Sequence, residues 1–379
     1  MNNNPKFDDI RPYYESEIPA AMQRIANSEV FPVLASFIYP DDDLESVKER
    51  ITSFKTVREF QHDTMFKVNE QIIKRSISEF SCSGIEHLDK NTRYLFVSNH
   101  RDIMLDSSLF QYYLVKQGFE TTEITFGSNL MMTSLITDIG KANKMFVVQR
   151  PSGNIKDFYT FSQHLSEYIR YAITEKKQSV WIAQRNGRTK NGLDATDQGI
   201  IKMFCMSGAS NREKALLDLH IVPISVSYEW EPCDILKSLE LYHSQKERYV
   251  KKPGEDLESI LTGITQFKGR VHFEICKPIS NEELCLHNSF TNNEFHKQVA
   301  KLIDRRIIAA YRLYPNNYIA HDMLSGNNTY SDYYNETHKN DFLQHIKMLE
   351  KYNTYNLDTI REIMLKIYSN PIENKLLYL

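Results

Sequence analysis

Cysteine is sparse and unpatterned. Cys82, Cys205, Cys233, Cys276 and Cys285 form an odd count with no C-x-x-C spacing. That excludes a disulfide framework or zinc knuckle and points to a reducing compartment. No run of about 18 apolar residues occurs, so no membrane-spanning helix is expected. The first residues, MNNNPKFDDIRPYYESE, carry acids and lack the apolar core of a secretory signal. Positive charge is not in excess either. A net charge of -3 leaves no electrostatic footprint for nucleic acid. The histidines never fall into H-x3-H with acids at ligand spacing, so no metal is expected. NGRTKNG lacks the spacing of a phosphate-binding P-loop, and no G-x-S-x-G nucleophile elbow occurs. There is no internal repeat and no low-complexity tract.

What remains is a chain of 379 residues, 41% hydrophobic and 25% charged. It is long enough to bury a sizeable core without staples. Residues 1–80 carry helical patterns, with acids at a helix start in PDDDLESVKERI and helical apolar spacing in FQHDTMFKVNEQIIKRSI. They read as an all-helical cap. Short strand-like runs then follow at 94–99, 123–127, 145–149, 179–184, 221–228 and 270–275. Helical patterns at 154–176 and 196–207 lie between them. This alternation predicts an α/β fold: a mixed, mostly parallel sheet flanked by helices, over residues 81–290. Residues 291–379 read as C-terminal helices packed on that core.

In such sheets, functional residues gather where strands end. LFVSNHRDIMLDSS, from Leu95 to Ser108, places Asn99 and His100 at a strand end, with Asp102 and Asp106 close behind. Histidine can act as a base near neutral pH, and a carboxylate on its second nitrogen fixes the tautomer and stabilises the imidazolium. On one continuous helix His100 and Asp106 would point to different faces. They meet only if His100 lies on a turn and Asp106 inside the following helix. Asp102 is the second candidate for the orienting acid.

NHRDIMLD resembles the first motif of the glycerolipid acyltransferases, the glycerol-3-phosphate and lysophosphatidate acyltransferases. Further blocks follow in the family's order: MFVVQR (145–150), IAQRNGRTKNG (182–192) and IVPISVSY (221–228), with RVHFEICKPIS (270–280) resembling the closing strand. RPYYESEIP, SFKTV and YRLYPNNY are similar to a soluble subfamily of Bacteroidetes-type bacteria. Two departures stand out. Five residues, not four, separate His100 from Asp106, and the family's acid position is Leu105. The third motif lacks its Glu, with Arg185 or Asn186 in that place.

The resemblance implies O-acyl transfer from acyl-CoA or acyl carrier protein to glycerol-3-phosphate or lysophosphatidate, with no cofactor beyond that co-substrate. His100 would be the general base, with Asp106 or Asp102 as its acid. Asn99, Arg101, Arg150, Arg185, Gly187 and Arg188 would form the substrate side, Arg150 and Arg188 holding the acceptor's anion. A lipid acceptor implies peripheral contact with a membrane, on the cytoplasmic face. The absent Glu leaves two other readings open: O-acylation of an N-acyl amino acid lipid of the ornithine or glycine type, and a non-catalytic lipid- or acyl-carrier-binding protein.

Overall fold

The computed structural model describes residues 4–131, 133–149, 155–208, 211–245, 249–287 and 289–378. Its strands are β1 (Ile77–Ser83), β2 (Leu95–Ser98), β3 (Glu123–Gly127), β4 (Met145–Val148), β5 (Val180–Ala183), β6 (Ile221–Tyr228) and β7 (Gly269–Ile275). They join in one seven-stranded sheet of order β1-β7-β6-β2-β5-β3-β4. Only β6 and β7 run antiparallel; the other neighbouring pairs are parallel. The fold is thus α/β with a mixed, mostly parallel sheet.

β2 lies at the centre, and all four of its residues are buried. A strand covered on both faces can be apolar throughout. Alternation sends Leu95 and Val97 to one face and Phe96 to the other. The first face packs against α2 (Ile155–Thr174), α3 (Gln198–Met206) and α4 (Asn292–Ala310), through Tyr168, Ile169, Phe204 and Ile303. The second packs on α1 (Leu105–Lys116), through Leu105, Leu109 and Phe110.

The helical ends have cores of their own. Helices Ile18–Ala26, Phe31–Ile38 and Leu44–Ser53 close on one another and on Ala142. At the other end, helices Pro315–Ser325 and Glu336–Lys347 pack with α5 (Leu357–Tyr378) around Phe342, Met364 and Tyr368. One strand departs from the sequence reading. β1 begins at Ile77, inside the segment read as helical cap, and pairs in parallel with β7. Among the described residues, no helix is long and apolar enough to cross a membrane.

The register decides where chemistry can gather. Ser98, the last residue of β2, stands opposite Ala183 of β5 and Ile224 of β6. The turn after β2 and the loop after β5 therefore leave the sheet side by side.

Candidate active site

Asp102 starts the turn's geometry. Its Oδ1 accepts the backbone N–H groups of Met104 and Leu105, at 2.9 and 2.8 Å, and so caps the start of α1. Asp106 lies in the first turn of α1, where side chains lean back toward the helix N-terminus. Its Oδ2 accepts the backbone N–H of Arg101 at 2.6 Å and of Asp102 at 2.9 Å. The same oxygen lies 2.9 Å from Nδ1 of His100. Its Oδ1 accepts the hydroxyl of Tyr228 at 2.8 Å. This carboxylate is fully buried and can only accept, so Nδ1 of His100 carries the proton and Nε2 keeps its lone pair. The extra residue between His100 and Asp106 does not prevent the pairing, because the turn absorbs it.

Asp102 does not take part in that pairing. It is buried, its Oδ1 is used by the helix cap, and its Oδ2 has no hydrogen-bond partner among the described residues. Burial and the neighbouring Asp106 push its pKa up against the opposing N–H groups of Leu105 and Met104 and the charge of Arg188. The geometry sets Asp106, not Asp102, against the His100 ring and leaves Asp102 as a turn cap.

Two further candidates lie in the interior. Asn99 is fully buried and binds the edge of β6, donating to the carbonyl of Val226 at 3.0 Å and accepting its N–H at 2.8 Å. Arg101 is only 1% exposed. It pairs with Asp194 at 2.7 Å and Glu231 at 3.2 Å, and lies 5.0 Å from the ring centroid of Tyr311. Burial alone would lower its pKa, but Asp194, Tyr311 and Glu231 outweigh that and hold it charged. Turn residues on either side of His100 point into the protein, and neither lines the cavity beside it.

The loop after β5 supplies the other wall. Thr189 donates its backbone N–H to the carbonyl of His100 at 2.7 Å, which locks this loop to the turn. Gly187 holds φ +74°, a left-handed conformation that side chains disfavour. Around it, Arg185, Asn186 and Gly187 border a cavity of about 290 Å³ shared with His100. The cavity's remaining walls are mainly apolar, among them Ile103, Phe126, Leu130, Val147, Leu165 and Met203. Trp181 also lines it, with its ring 6.0 Å from that of His100 in an edge-on contact.

The arginines divide. Arg185 lines the cavity and makes no ion pair or hydrogen bond among the described residues. Arg188 is turned inward at 7% exposure, its Nη1 without a partner among the described residues, near Asp102 and Asp256. Arg150 lies outside the described residues.

Sequence reasoning missed Tyr228 and Asp194. Tyr228 ends a mostly apolar strand beside β2, a polar tip at the strand's carboxyl end. Asp194 follows Gly192 in the motif loop, where an acid among turn residues was the available signal.

Residues 79–227 match the family model described as Acyltransferase. No curated protein matches the chain. Among solved structures, the crystal structure of the 1-acyl-sn-glycerophosphate acyltransferase PlsC from Thermotoga maritima is similar at 11% identity and a TM-score of 0.40, covering 76% of this chain and 93% of that one.

Proposed function

We propose, from the match of residues 79–227 to the Acyltransferase family model, that the chain is a glycerolipid acyltransferase with a specific reaction. It moves a fatty acyl group from a thioester of coenzyme A or acyl carrier protein to a hydroxyl of glycerol-3-phosphate or lysophosphatidate. The observation that carries this reading is His100, its Nδ1 fixed by a buried carboxylate at 2.9 Å and its ring bordering an apolar cavity.

His100 Nε2 takes the proton of the acceptor hydroxyl as its oxygen attacks the thioester carbonyl. The C–S bond then breaks, and the imidazolium returns the proton to the leaving thiolate. No acyl-enzyme forms. General-base assistance of this kind is worth about 10²–10⁴ in rate. The apolar walls suit the acyl chain. Among the described residues, Arg185 is the arginine that borders the cavity and is assigned the acceptor's anion, since Arg101 is consumed in the interior and Arg188 turns away from the cavity. A guanidinium binds phosphate or carboxylate by a two-pronged contact. The carboxylate of an N-acyl amino acid lipid would fit the same group, so that acceptor class enters the test.

A lipid acceptor has to be reached at a membrane surface, on the cytoplasmic side where acyl thioesters are made. The cavity mouth is suited to it: Phe158 lines the cavity and stands 55% exposed, close in sequence to Ile155 at 86%. Contact of this kind is peripheral.

The test is a mass-spectrometric transfer assay. Palmitoyl-carrier protein and palmitoyl-CoA are each offered with glycerol-3-phosphate, lysophosphatidate and an N-acyl amino acid. Product from a glycerophosphate acceptor, lost in His100→Ala, is the expected result. Product only from the N-acyl amino acid moves the acceptor to that class. Transfer that persists in His100→Ala removes His100 as the base, and no product from any pair overturns the reaction.

A further inference from the structure

Asp194 is a buried carboxylate, 4% exposed, that touches neither the cavity nor the acid of His100. Its two oxygens face two different parts of the site. Oδ2 accepts from Asn99 Nδ2 at 3.1 Å, and from Arg101 Nε at 3.2 Å and Nη2 at 2.7 Å. These are the two residues that flank His100. Oδ1 accepts the hydroxyl of Thr189 at 2.8 Å. Thr189 follows the Gly187–Arg188 turn, and its N–H holds the carbonyl of His100.

We infer that Asp194 is a positioning residue, which sets His100 and the Arg185–Gly187 wall of the cavity at a fixed separation. The inference rests on the acyl-transfer reading for its kinetic consequence, but not for its geometry. Carboxylate chemistry explains the choice of residue. Both oxygens must accept at once, since every group aimed at them donates. An amide of the same shape removes the charge opposite Arg101, and it keeps the Thr189 link only if that hydroxyl reverses and accepts. Charge balance gives a second reason: Asp194 and Glu231 together offset Arg101 and Lys237, all four almost fully buried. The arrangement is held from beyond the 79–227 domain. Asn374 of α5 donates to the backbone carbonyl of Asp194 at 3.1 Å, and Lys237 donates to the carbonyl of Arg101 at 2.7 Å. Residues far along the chain thus complete a site whose family-model match ends at residue 227.

The test compares Asp194→Asn with Glu123→Gln. Glu123 is as buried, at 1% exposure, but it begins β3 at the opposite end of the sheet and bonds Tyr168 and Lys176. Both variants are expected to lower the melting temperature. Only Asp194→Asn is expected to lower kcat, by about 10²-fold, because misplacement by about 1 Å costs that much. A readout free of any substrate is the downfield proton signal of His100 Nδ1–H in protein labelled with nitrogen-15 histidine, assigned by its loss in His100→Ala. It should vanish or shift in Asp194→Asn and persist in Glu123→Gln. If Asp194→Asn does not fold, Thr189→Val cuts only the Oδ1 link and should move the same signal to a smaller extent. A folded Asp194→Asn, or Thr189→Val in its place, with an unchanged His100 signal would overturn the inference. Should the wild type prove inactive on every acceptor, the acyl-transfer reading fails, and the proton signal still decides the positioning role.

Discussion

Tyr228 donates its hydroxyl to Asp106 Oδ1 at 2.8 Å, on the carboxylate oxygen that His100 does not touch. The acid is therefore held from both sides. Oδ2 gathers the turn's N–H groups and the imidazole, while Oδ1 is anchored to the last residue of β6. Burial and the adjacent Asp106 and Asp102 push the Tyr228 phenol well above its ordinary pKa, so it stays a donor at any working pH. Tyr228→Phe leaves a buried charged acceptor short of one partner, at a cost of about 1–3 kcal/mol. Denaturant unfolding should show that loss, and kcat should fall with it as Asp106 gains freedom to turn.

The two acids of the motif should separate cleanly. Asp106→Asn keeps an oxygen for the turn but removes the charge that stabilises the imidazolium, and kcat should fall by about 10²–10⁴. Asp102→Asn keeps the Oδ1 cap on Met104 and Leu105 and removes a charge that burial and Asp106 already disfavour. Its stability should stay within about 1 kcal/mol of wild type, since no hydrogen bond is lost. Steady-state kinetics on both variants, beside urea unfolding, checks the contrast.

Asp304 carries a pH signature. On α4 it accepts the N–H and hydroxyl of Thr196, each at 2.6 Å, yet burial lifts its pKa from 3.8 to about 6. Between those values the folded chain keeps a proton that the unfolded chain has released. Its contribution to stability therefore falls as pH rises from 3.8 to about 6, in total by about 3 kcal/mol. Unfolding free energies measured across that range should show this component in the wild type. In Asp304→Asn the same series should lack it.

Two glycines of the motif loop should differ sharply when changed to alanine. Gly192 holds φ +80°, and a Cβ there would lie 2.2 Å from the carbonyl oxygen of Ile367 in α5. That oxygen is backbone and cannot swing aside, so Gly192→Ala should cost well over about 1 kcal/mol and loosen the C-terminal helix. Gly187 also has positive φ, but nothing lies within 4 Å of its Cβ position. Gly187→Ala should cost only the strain of a left-handed residue, about 1–2 kcal/mol. Urea unfolding of the two variants ranks them directly.

The order of strands and helices was legible because buried strands announce themselves as apolar runs. Val180–Ala183 and Ile221–Tyr228 are covered on both faces, and so are mostly apolar in sequence. Ile77–Ser83 was hidden for the opposite reason. ISEFSCS lies at the sheet's edge, is only partly buried and follows a helix without a break, so no local pattern marks its start. The meeting of His100 with Asp106 was likewise readable, because a strand, a turn and a helix bring residues of that spacing together through local geometry alone.

The neighbours of His100 were not readable in this way. Asn99 and Arg101 share its motif, yet they point inward to Val226, Asp194 and Glu231, residues about 90 to 130 positions further along the chain. Which way a turn residue faces depends on which buried donors and acceptors need a partner, and only the packed sheet brings those together. So the sequence by itself determined the chemistry available at the end of β2, while the tertiary structure decided which groups face the cavity and which hold it in place. The physical reason is burial. Arg101 and Arg185 are the same residue type in neighbouring motifs, but the carboxylates around Arg101 draw it into the interior, and Arg185, with no such partner among the described residues, stays at the cavity wall.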